Sequence, residues 1–155
     1  MLSLKEIKVL LHHREPYLMV DRVDELSPLK VRGVKIHRGD EAHLTGHFPG
    51  APVVPGAMLQ ELCTQSAGVL MTRFYSPVED YDSEQTKGLA IGVLNKVEFA
   101  KYYATAKPDE DVFADVELVE RMGDLFKFRA RVEQHGSVVA KLRFNLVIAS
   151  DAVLL

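Results

Sequence analysis

Residues 49–72 contain a single charged side chain, Glu61, although 26% of the whole chain is charged. Residues 56–74, which overlap this stretch, have the length and composition of an α-helix. The strongly apolar side of that helix carries Leu59, Leu62, Cys63, Leu70 and Phe74. A helix with so little charge has to be covered by the rest of the chain, because in water it would leave a large apolar patch exposed.

The hydrophobic pattern beyond residue 88 changes from a helical period to a period of two residues, which is typical of β-strands. Strands are predicted over residues 17–26, 31–37, 89–101, 111–121, 125–134 and 138–149. Turn signals at residues 122–124 and 135–136 make the last three strands an antiparallel meander with one solvent-exposed face. The predicted fold class is therefore α+β, with a long central helix wrapped by an antiparallel sheet of five to six strands.

Two local patterns concern the first third of the chain. Ser3 and Glu6 have the spacing of a capping box that opens a short helix. Residues 31–37 alternate apolar with basic side chains, which predicts a half-exposed strand. The alternating residues are Val34 and Ile36 on one side and Lys35 and His37 on the other.

The composition predicts a single domain over residues 1–155, long enough to bury a core without crosslinks. The net charge of −3 does not favour nucleic acid or an anionic membrane surface as a partner. The one cysteine, Cys63, excludes an internal disulfide and suits a reducing compartment. The N-terminus lacks a secretory pattern, and no segment has the ~18 or more consecutive apolar residues of a membrane span. We expect a cytoplasmic protein.

Glu61, Gln65, Gly68 and Thr72 share one face of the predicted helix, because residues three, four and seven apart lie on the same side. The simpler alternative is that this face is the solvent-exposed side of an amphipathic helix. Exposed faces usually carry several charged residues, whereas this one carries one acid, which favours burial. A buried carboxylate without a partner costs several kcal/mol or takes up a proton. A partly neutral carboxyl group can act as a general acid, and Gln65 can orient it.

His47 lies in the loop GHFPGAPVVPG, which its prolines make stiff. Pro49, Pro52 and Pro55 each fix φ and remove an amide donor. Such a loop holds an imidazole in place, and histidine is well matched to accepting a proton near neutral pH; a surface or structural histidine is the alternative. At Gly56 the helix begins, so free N–H groups there can polarise a carbonyl oxygen. A base, an acid and an N–H donor are what is needed to remove a proton α to a carbonyl and expel a β-leaving group.

This stretch resembles the FabZ-type β-hydroxyacyl-acyl carrier protein dehydratases. Their hallmark is GHFPGxPxxPG, followed by a glutamate fourteen residues after the histidine and a glutamine four residues further on. The matching residues are Gly46, His47, Phe48, Pro49, Gly50, Pro52, Pro55, Gly56, Glu61 and Gln65. Residues 12–23, HHREPYLMVDRV, resemble the family's PHRxPFxxxDRV, with His12 in place of its proline and Tyr17 in place of its phenylalanine. The resemblance spans most of the chain and is sharp in these two blocks.

The resemblance implies a hotdog fold and the reversible dehydration of (3R)-hydroxyacyl thioesters on acyl carrier protein to trans-2-enoyl thioesters, in fatty-acid or related acyl-chain biosynthesis. It implies that His47 is the catalytic base and that Glu61 assists departure of the hydroxyl. The Gly56 N–H would hold the thioester carbonyl, and Gln65 would position Glu61 or a water. The FabA-type relatives have aspartate at the position of Glu61, which argues against double-bond isomerisation. No cofactor is implied.

In this family the histidine of one protomer works with the carboxylate of the other, which implies a homodimer with shared active sites and allows a trimer of dimers. Glu61 would then face a narrow acyl tunnel. The tunnel candidates are Phe48, Pro55, Met58, Tyr75 and Tyr81, the two tyrosines being alternatives for a gate. The carrier and its phosphopantetheine arm are anionic, so a local basic patch is expected. The docking candidates are Lys96 and Lys101 on one strand and Arg129 and Arg131 on the next but one, with an ordinary solvated strand face as the alternative.

Two segments depart from the family pattern. The acidic loop over residues 76–87 is longer, and the usual FxRPVxPGD is degraded to FAKYYATAKPDED over residues 99–111. These changes bear on chain-length preference, oligomer size and carrier docking rather than on the catalytic pair. The pairs His12–His13 and His37/His43 lack a consistent metal-ligand spacing, so no metal is predicted.

Two other functions compete with the lyase. A hotdog thioesterase would use Glu61 to activate water and would not need His47, so the complete GHFPG loop speaks against it. A non-catalytic acyl-binding subunit would keep the tunnel without the chemistry. The retention of both His47 and Glu61 argues against that loss, whereas the degraded segment 99–111 favours it.

Overall fold

The computed structural model describes residues 1–86 and 89–150, without the side chains of Ala90 and Ser150. Within these residues the chain forms three helices and six strands. The helices are α1 (Leu4–Leu10), α2 (Ala42–Thr45) and α3 (Gly56–Tyr75), and the strands are β1 (Arg22–Leu26), β2 (Lys30–Ile36), β3 (Leu89–Tyr102), β4 (Asp111–Met122), β5 (Leu125–Gln134) and β6 (Ser137–Ser150).

Helix α3 lies at the centre of the fold. Every residue from Leu62 to Thr72 is buried, so this helix is covered on all sides over three turns. The sheet supplies most of the cover, because the alternate side chains Phe126, Phe128 and Ala130 of β5 point into the core. The α+β prediction, with a central helix wrapped by a sheet, is confirmed.

The six strands form one antiparallel sheet in the order β1-β2-β4-β5-β6-β3. The predicted meander is β4-β5-β6, and its last turn has positive φ at both His135 and Gly136, as a two-residue hairpin requires. Strand β3 closes the sheet at one edge and pairs only with β6 among the described strands. Its free edge is therefore available to another chain.

The strand predicted over residues 17–26 is shorter in the structure, because β1 begins at Arg22. Residues 18–20 are buried, but the backbone of this segment forms hydrogen bonds with a side chain of α3 and not with a strand. The Met19 N–H donates to Gln65 Oε1 at 2.7 Å, and Gln65 Nε2 donates to the Tyr17 carbonyl at 2.8 Å. Local periodicity cannot show this arrangement, since the bonding partner lies 46 residues away from Met19.

The prediction that β2 is half exposed is wrong at its C-terminal end. Lys35 is 3% exposed and His37 is fully buried. Lys35 Nζ donates to Asp21 Oδ1 at 3.2 Å and to Glu41 Oε1 at 2.9 Å, so two carboxylates neutralise its charge. Lys35 was assigned to the exposed side of the strand because it is charged. A lysine that is paired with carboxylates can nevertheless be buried.

The predicted helix at the N-terminus is confirmed by a complete capping box between Ser3 and Glu6. The acidic segment after α3 folds back on this helix. The Ser83 N–H donates to the Val9 carbonyl at 2.9 Å, and Tyr81 is buried beside it. Among the described residues, no helix has the length and apolarity to cross a membrane.

Gly33 of β2 allows α3 to approach the sheet closely. A Cβ at Gly33 would lie 2.0 Å from Ser66 Oγ and 3.0 Å from Ser66 Cβ. Ser66 has little freedom to move away, because its Oγ donates to the Leu62 carbonyl at 2.7 Å within the buried helix. The glycine is thus required by helix–strand packing.

Gly33→Ala is expected to lower the free energy of unfolding by about 1–3 kcal/mol, the usual cost of overpacking a core. Chemical denaturation measures this change. Gly46→Ala is the matched control, because a Cβ there meets nothing within 4 Å and its φ of −96° is ordinary. The control should stay within about 0.5 kcal/mol of wild type.

The double variant Gly33→Ala/Ser66→Ala should recover part of the lost stability, since it removes the closer of the two clashing atoms. A Gly33→Ala protein as stable as wild type would show that α3 and β2 do not approach this closely.

Candidate active site

The loop that follows α2 holds His47 in a defined orientation. Its backbone N–H donates to the Leu44 carbonyl at 3.0 Å, and its own carbonyl accepts the Val53 N–H at 2.9 Å. The ring Nδ1 lies 2.8 Å from the Val53 carbonyl, so Nδ1 carries the proton and donates it. Nε2 of the neutral ring is then the unprotonated nitrogen. This is the tautomer that can accept a proton from a substrate.

The ring of His47 is half-buried and stacks on Phe48, with 4.4 Å between ring centroids. The loop is tied to the sheet beyond it, because the Val54 N–H donates to the Ala106 carbonyl at 3.0 Å. His47 therefore sits on a segment fixed at both ends, near the point where β3 has ended.

The N-terminus of α3 offers N–H groups next to this loop. Pro55 is the N-cap and makes no side-chain capping bond, so the first N–H groups, including that of Gly56, have no acceptor within the helix. A Cβ at Gly56 would lie 3.0 Å from the Tyr102 ring, so a larger residue there would require that ring to shift. A free N–H at the positive end of a 20-residue helix can stabilise a developing oxyanion.

Glu61 lies in the second turn of α3, and 17% of its side chain is exposed. Gln65 Nε2 donates to its Oε1 at 2.9 Å, and Thr64 Oγ1 donates to its Oε2 at 3.2 Å. The sequence predicted an acid without a charged neighbour on its helix face that Gln65 can orient, and the structure gives this carboxylate two neutral hydrogen-bond donors, Gln65 and Thr64. The predicted burial of the face is borne out by Gln65, Gly68 and Thr72, all of which are buried.

The side chain of Gln65 uses both ends of its amide. Oε1 accepts the Met19 N–H, while Nε2 donates to the Tyr17 carbonyl and to Glu61. The backbone donor and the backbone acceptor together determine which end of the amide is oxygen. Gln65 thus joins the two sequence blocks that resemble the family and directs an N–H at Glu61.

His13 is a neighbour of Glu61 that the sequence did not single out. Its Nε2 lies 3.8 Å from Glu61 Oε1, and its ring stacks on Tyr17 with 6.1 Å between centroids. Burial lowers the pKa of His13 below its ordinary value, although the Glu61 carboxylate acts in the opposite direction. The available signal was the block 12–23 itself, because it contains His13 and Tyr17 and its resemblance to the family is sharp.

His47 and Glu61 have separate partners within one chain. Among the described residues, no hydrogen bond or ion pair joins the two side chains. Their roles in catalysis stay predictions at this point.

Three of the tunnel candidates lie near the start of α3. Phe48 is 58% exposed, and Pro55 and Met58 are partly buried, Met58 against the core. Their role as tunnel walls stays a prediction.

The two tyrosine candidates lie at the other end of α3 or beyond it. Tyr75 donates to the Pro28 carbonyl at 2.9 Å and is about 21 Å from Glu61 along the helix, at about 1.5 Å per residue. Tyr81 lines a cleft of about 510 Å³ together with Thr72, on the face of α3 that carries Glu61. Burial raises the pKa of Tyr81 to about 12. Tyr75 lies two seven-residue repeats after Glu61 on the same helix and so shares that face as well. The choice between the two tyrosines as a gate stays a prediction.

The four docking candidates lie on β3 and β5, which β6 separates. Arg129 donates to Glu117 at 2.7 and 2.9 Å, Arg131 pairs with Glu133, and Lys96 lies 3.8 Å from Glu98. Lys101 Nζ lies over the Tyr103 ring at 5.1 Å. Three of the four cations therefore already have acidic neighbours, and docking through them stays a prediction.

Cys63 is fully buried on α3, as predicted, and burial raises the pKa of its thiol. A buried thiol of this kind is not a nucleophile.

Comparison with known proteins places the chain in a family. It matches the FabA-like domain over residues 11–143. It is 31% identical over 141 residues to the 3-hydroxyacyl-[acyl-carrier-protein] dehydratase FabZ of Thiobacillus denitrificans, covering 90% of this chain and 92% of the relative. It is 33% identical over 140 residues to the protein of the same name from Burkholderia thailandensis, covering 90% and 83%.

Two solved structures show the same fold. The dehydratase heterocomplex ApeI:P from Xenorhabdus doucetiae has a TM-score of 0.77 at 16% identity, covering 96% of this chain and 93% of that chain. A hypothetical thioesterase with coenzyme A from Streptococcus pneumoniae has a TM-score of 0.61 at 18% identity, covering 83% and 85%. At these identities the likeness concerns the fold alone.

The expected hotdog fold is thus confirmed, while one domain over residues 1–155 stays a prediction beyond the matched range. The sequence identity, its coverage of both chains and the matched range lead to one conclusion: the chain belongs to the FabZ 3-hydroxyacyl-[acyl-carrier-protein] dehydratases of the FabA-like family.

Proposed function

We propose that the chain is a lyase that reversibly dehydrates (3R)-hydroxyacyl thioesters on acyl carrier protein to trans-2-enoyl thioesters, in fatty-acid or related acyl-chain biosynthesis. The observation that carries the proposal is the Nδ1–H bond of His47 to the Val53 carbonyl, which leaves Nε2 as a free base. The names of the FabZ relatives support the reaction and its carrier-bound substrate.

The proposed reaction needs three groups. His47 Nε2 removes a proton from C2 of the thioester, and that electron pair forms the C2–C3 double bond. The hydroxyl on C3 leaves as water with a proton from the Glu61 carboxyl group. The Gly56 N–H donates to the thioester oxygen, where negative charge develops. A proton then passes from His47 to Glu61 through solvent, which restores the starting state.

The supporting role belongs to Gln65. Its Nε2 donates to one oxygen of Glu61, so the carboxyl group has its other oxygen for the hydroxyl of the substrate. Thr64 shares that other oxygen at 3.2 Å, a contact long enough to yield to a substrate.

A homodimer is part of the proposal, since the described contacts leave His47 and Glu61 in separate half-sites. All residues from Leu94 to Thr105 are exposed, a run that includes most of β3. Leu94, Val97 and Phe99 are 41%, 38% and 37% exposed, so the free edge of the sheet is apolar. Long apolar edges are normally covered. A second copy of the chain, related by a two-fold axis and paired with this edge, would cover it.

The edge also adjoins the site. The Tyr102 ring at the end of β3 packs on Gly56, and Ala106 just beyond bonds to the His47 loop. A partner docked along β3 would therefore reach the mouth of the site. Assembly into a trimer of dimers and docking of the anionic carrier on basic residues of β3 and β5 stay predictions. The cytoplasmic location is also a prediction, and the free thiol of Cys63 suits it.

His47→Ala is expected to lower kcat for hydration of crotonyl-acyl carrier protein by about 10²–10⁴-fold, because it removes the base. Loss of enoyl absorbance measures the rate, and an unchanged melting temperature shows that the fold is intact. His135→Asn is the matched control, because this histidine is 65% exposed in the β5–β6 turn. Glu61→Gln should be as impaired as His47→Ala.

Near-normal turnover by His47→Ala would contradict the proposal. So would a wild-type protein that releases free acid from the thioester at a rate independent of His47, because that is the thioesterase outcome. Binding of the thioester without turnover at any chain length would favour the non-catalytic subunit.

Gln65→Ala is expected to lower the free energy of unfolding by about 1–3 kcal/mol, because the Met19 N–H and the Tyr17 carbonyl lose their buried partner. It should also lower kcat, since Glu61 loses its donor. Gln60→Ala on the same helix is the matched control and should change neither quantity. A Gln65→Ala protein with wild-type stability and kcat would exclude a positioning role.

Val97→Lys is expected to convert a dimer to a monomer, because a charge on a sheet edge opposes strand pairing. Sedimentation equilibrium measures the mass, and activity should fall with dimer content if the site is shared. Val119→Lys is the matched control, since Val119 is 59% exposed on an interior strand. A Val97→Lys protein that stays dimeric would place the interface elsewhere.

A further inference from the structure

Two histidines and a glutamate converge just upstream of the His47 loop. His37 follows β2, Glu41 precedes α2, and His43 lies within α2. His37 Nδ1 is 3.2 Å from His43 Nε2, and His43 Nε2 is 3.3 Å from Glu41 Oε2. One donor atom of each residue lies within 4.8 Å of the other two. These residues belong to neither the proposed base nor the proposed acid.

The cluster is enclosed. His37 is fully buried, and the side chains of Glu41 and His43 are each 14% exposed. Neutral imidazole and carboxylate are the form in which these side chains bind metals.

Protons alone cannot satisfy these three atoms. If His37 Nδ1–H donates to His43 Nε2, then Glu41 Oε2 faces no donor, and it is indeed buried without a hydrogen-bond partner. If His43 Nε2 carries the proton instead, its single N–H can donate a well-aligned hydrogen bond to only one of His37 Nδ1 and Glu41 Oε2. The lone pair of the other atom then has no donor. One cation placed between them would meet all three lone pairs at once.

The second oxygen of Glu41 is already used. Oε1 accepts Lys35 Nζ at 2.9 Å and Arg38 at 3.0 Å, which turns Oε2 toward the histidines. The positive charges of Lys35 and Arg38 weaken Glu41 as a metal ligand. The Asp21 carboxylate, 3.2 Å from Lys35 Nζ, partly neutralises the charge of Lys35. His37 Nε2 also has no hydrogen-bond partner, so the outer contact that usually strengthens a histidine ligand is absent among the described residues. Both features predict moderate rather than tight binding.

We propose that His37 Nδ1, Glu41 Oε2 and His43 Nε2 bind one divalent transition-metal ion, with Zn²⁺ the preferred ion. In a tetrahedral zinc site with bonds of about 2.0–2.1 Å, neighbouring donors lie about 3.3 Å apart. The two contacts of His43 have this length. Two imidazoles and one carboxylate suit zinc, and they exclude a preference for magnesium or calcium, which take oxygen ligands. A water would complete the tetrahedron.

The ion would be structural. It would join the end of β2 to α2, whose Leu44 carbonyl accepts the backbone N–H of His47. The buried His37 keeps the ion away from substrate. The proposal departs from the expectation of no metal. The spacing of six residues between the histidines is uninformative as a motif, and it is the turn of the chain at Gly39 and Asp40 that brings them together.

The test uses the full chain without a histidine tag, treated with chelator and dialysed. Titration calorimetry with ZnCl₂ should give one ion per chain, and a rise in melting temperature should follow saturation. His43→Gln should weaken binding by at least about 100-fold, since loss of an outer partner alone costs 10–100-fold. His135→Asn, at an exposed histidine outside the cluster, should bind as wild type does.

Cobalt supplies a readout that does not depend on a variant. Co²⁺ bound to the wild-type chain should show the intense visible absorption of a tetrahedral site, displaced by Zn²⁺. Absence of binding at about 100 µM Zn²⁺, which would saturate a site with a Kd of about 1 µM, overturns the proposal. It is also overturned by unchanged binding in a folded His43→Gln protein. If His43→Gln does not fold, a weak octahedral cobalt spectrum of the wild-type chain overturns it.

Discussion

Burial of α3 on all sides is the constraint from which the geometry of the site follows. Most polar side chains of a helix enclosed by a sheet need a partner, and Thr72 Oγ1 is an exception that has none among the described residues. Ser66 bonds back to its own helix and occupies the space that Gly33 leaves free, while Gln65 bonds to the backbone at Met19 and Tyr17. One N–H of Gln65 remains for Glu61. The position of the acid is thus set by the packing of the helix, well before any substrate binds.

The proposed base, His47, is held by a different part of the structure. His47 depends on the Val53 carbonyl, on Leu44 of α2 and on the bond between Val54 and Ala106 beyond β3. Acid and base are therefore positioned by independent supports, and among the described residues no contact within the chain joins them. The exposed edge of β3 is the surface on which we propose that a second copy docks. Under that proposal, assembly would bring His47 of one chain to Glu61 of the other.

Sequence periodicity predicted the elements whose partners are local or regular. The helix predicted over residues 56–74 ends one residue later in the structure, at Tyr75, and the strand predicted over 125–134 has the same bounds. Periodicity failed where a distant side chain decides, as at Met19, which bonds to Gln65 instead of a strand. It failed also at Lys35, whose burial depends on Asp21 and Glu41.

The same distinction holds within the site. The stiff loop and the lone acid of α3 are visible in the sequence because proline and charge are local properties. The tautomer of His47 depends on where the loop brings the Val53 carbonyl, and the contact of His13 with Glu61 depends on how the N-terminal segment crosses α3. The course of the loop and the course of the N-terminal segment cannot be predicted from the spacing of residues in the sequence. Resemblance to a family supplied roles for residues, and the structure supplied the contacts by which those roles can be tested.

If His47 of one chain acts with Glu61 of another, as we propose, two variants that are inactive alone should complement each other. Purified His47→Ala and Glu61→Gln proteins, each inactive alone, are mixed, allowed to exchange subunits and assayed for hydration of the enoyl thioester. Random exchange makes half of the dimers mixed, and each mixed dimer has one complete site of two. The account therefore predicts recovery of about a quarter of wild-type activity. A mixture no more active than its separate components, with exchange shown by mass, would contradict a site shared between chains.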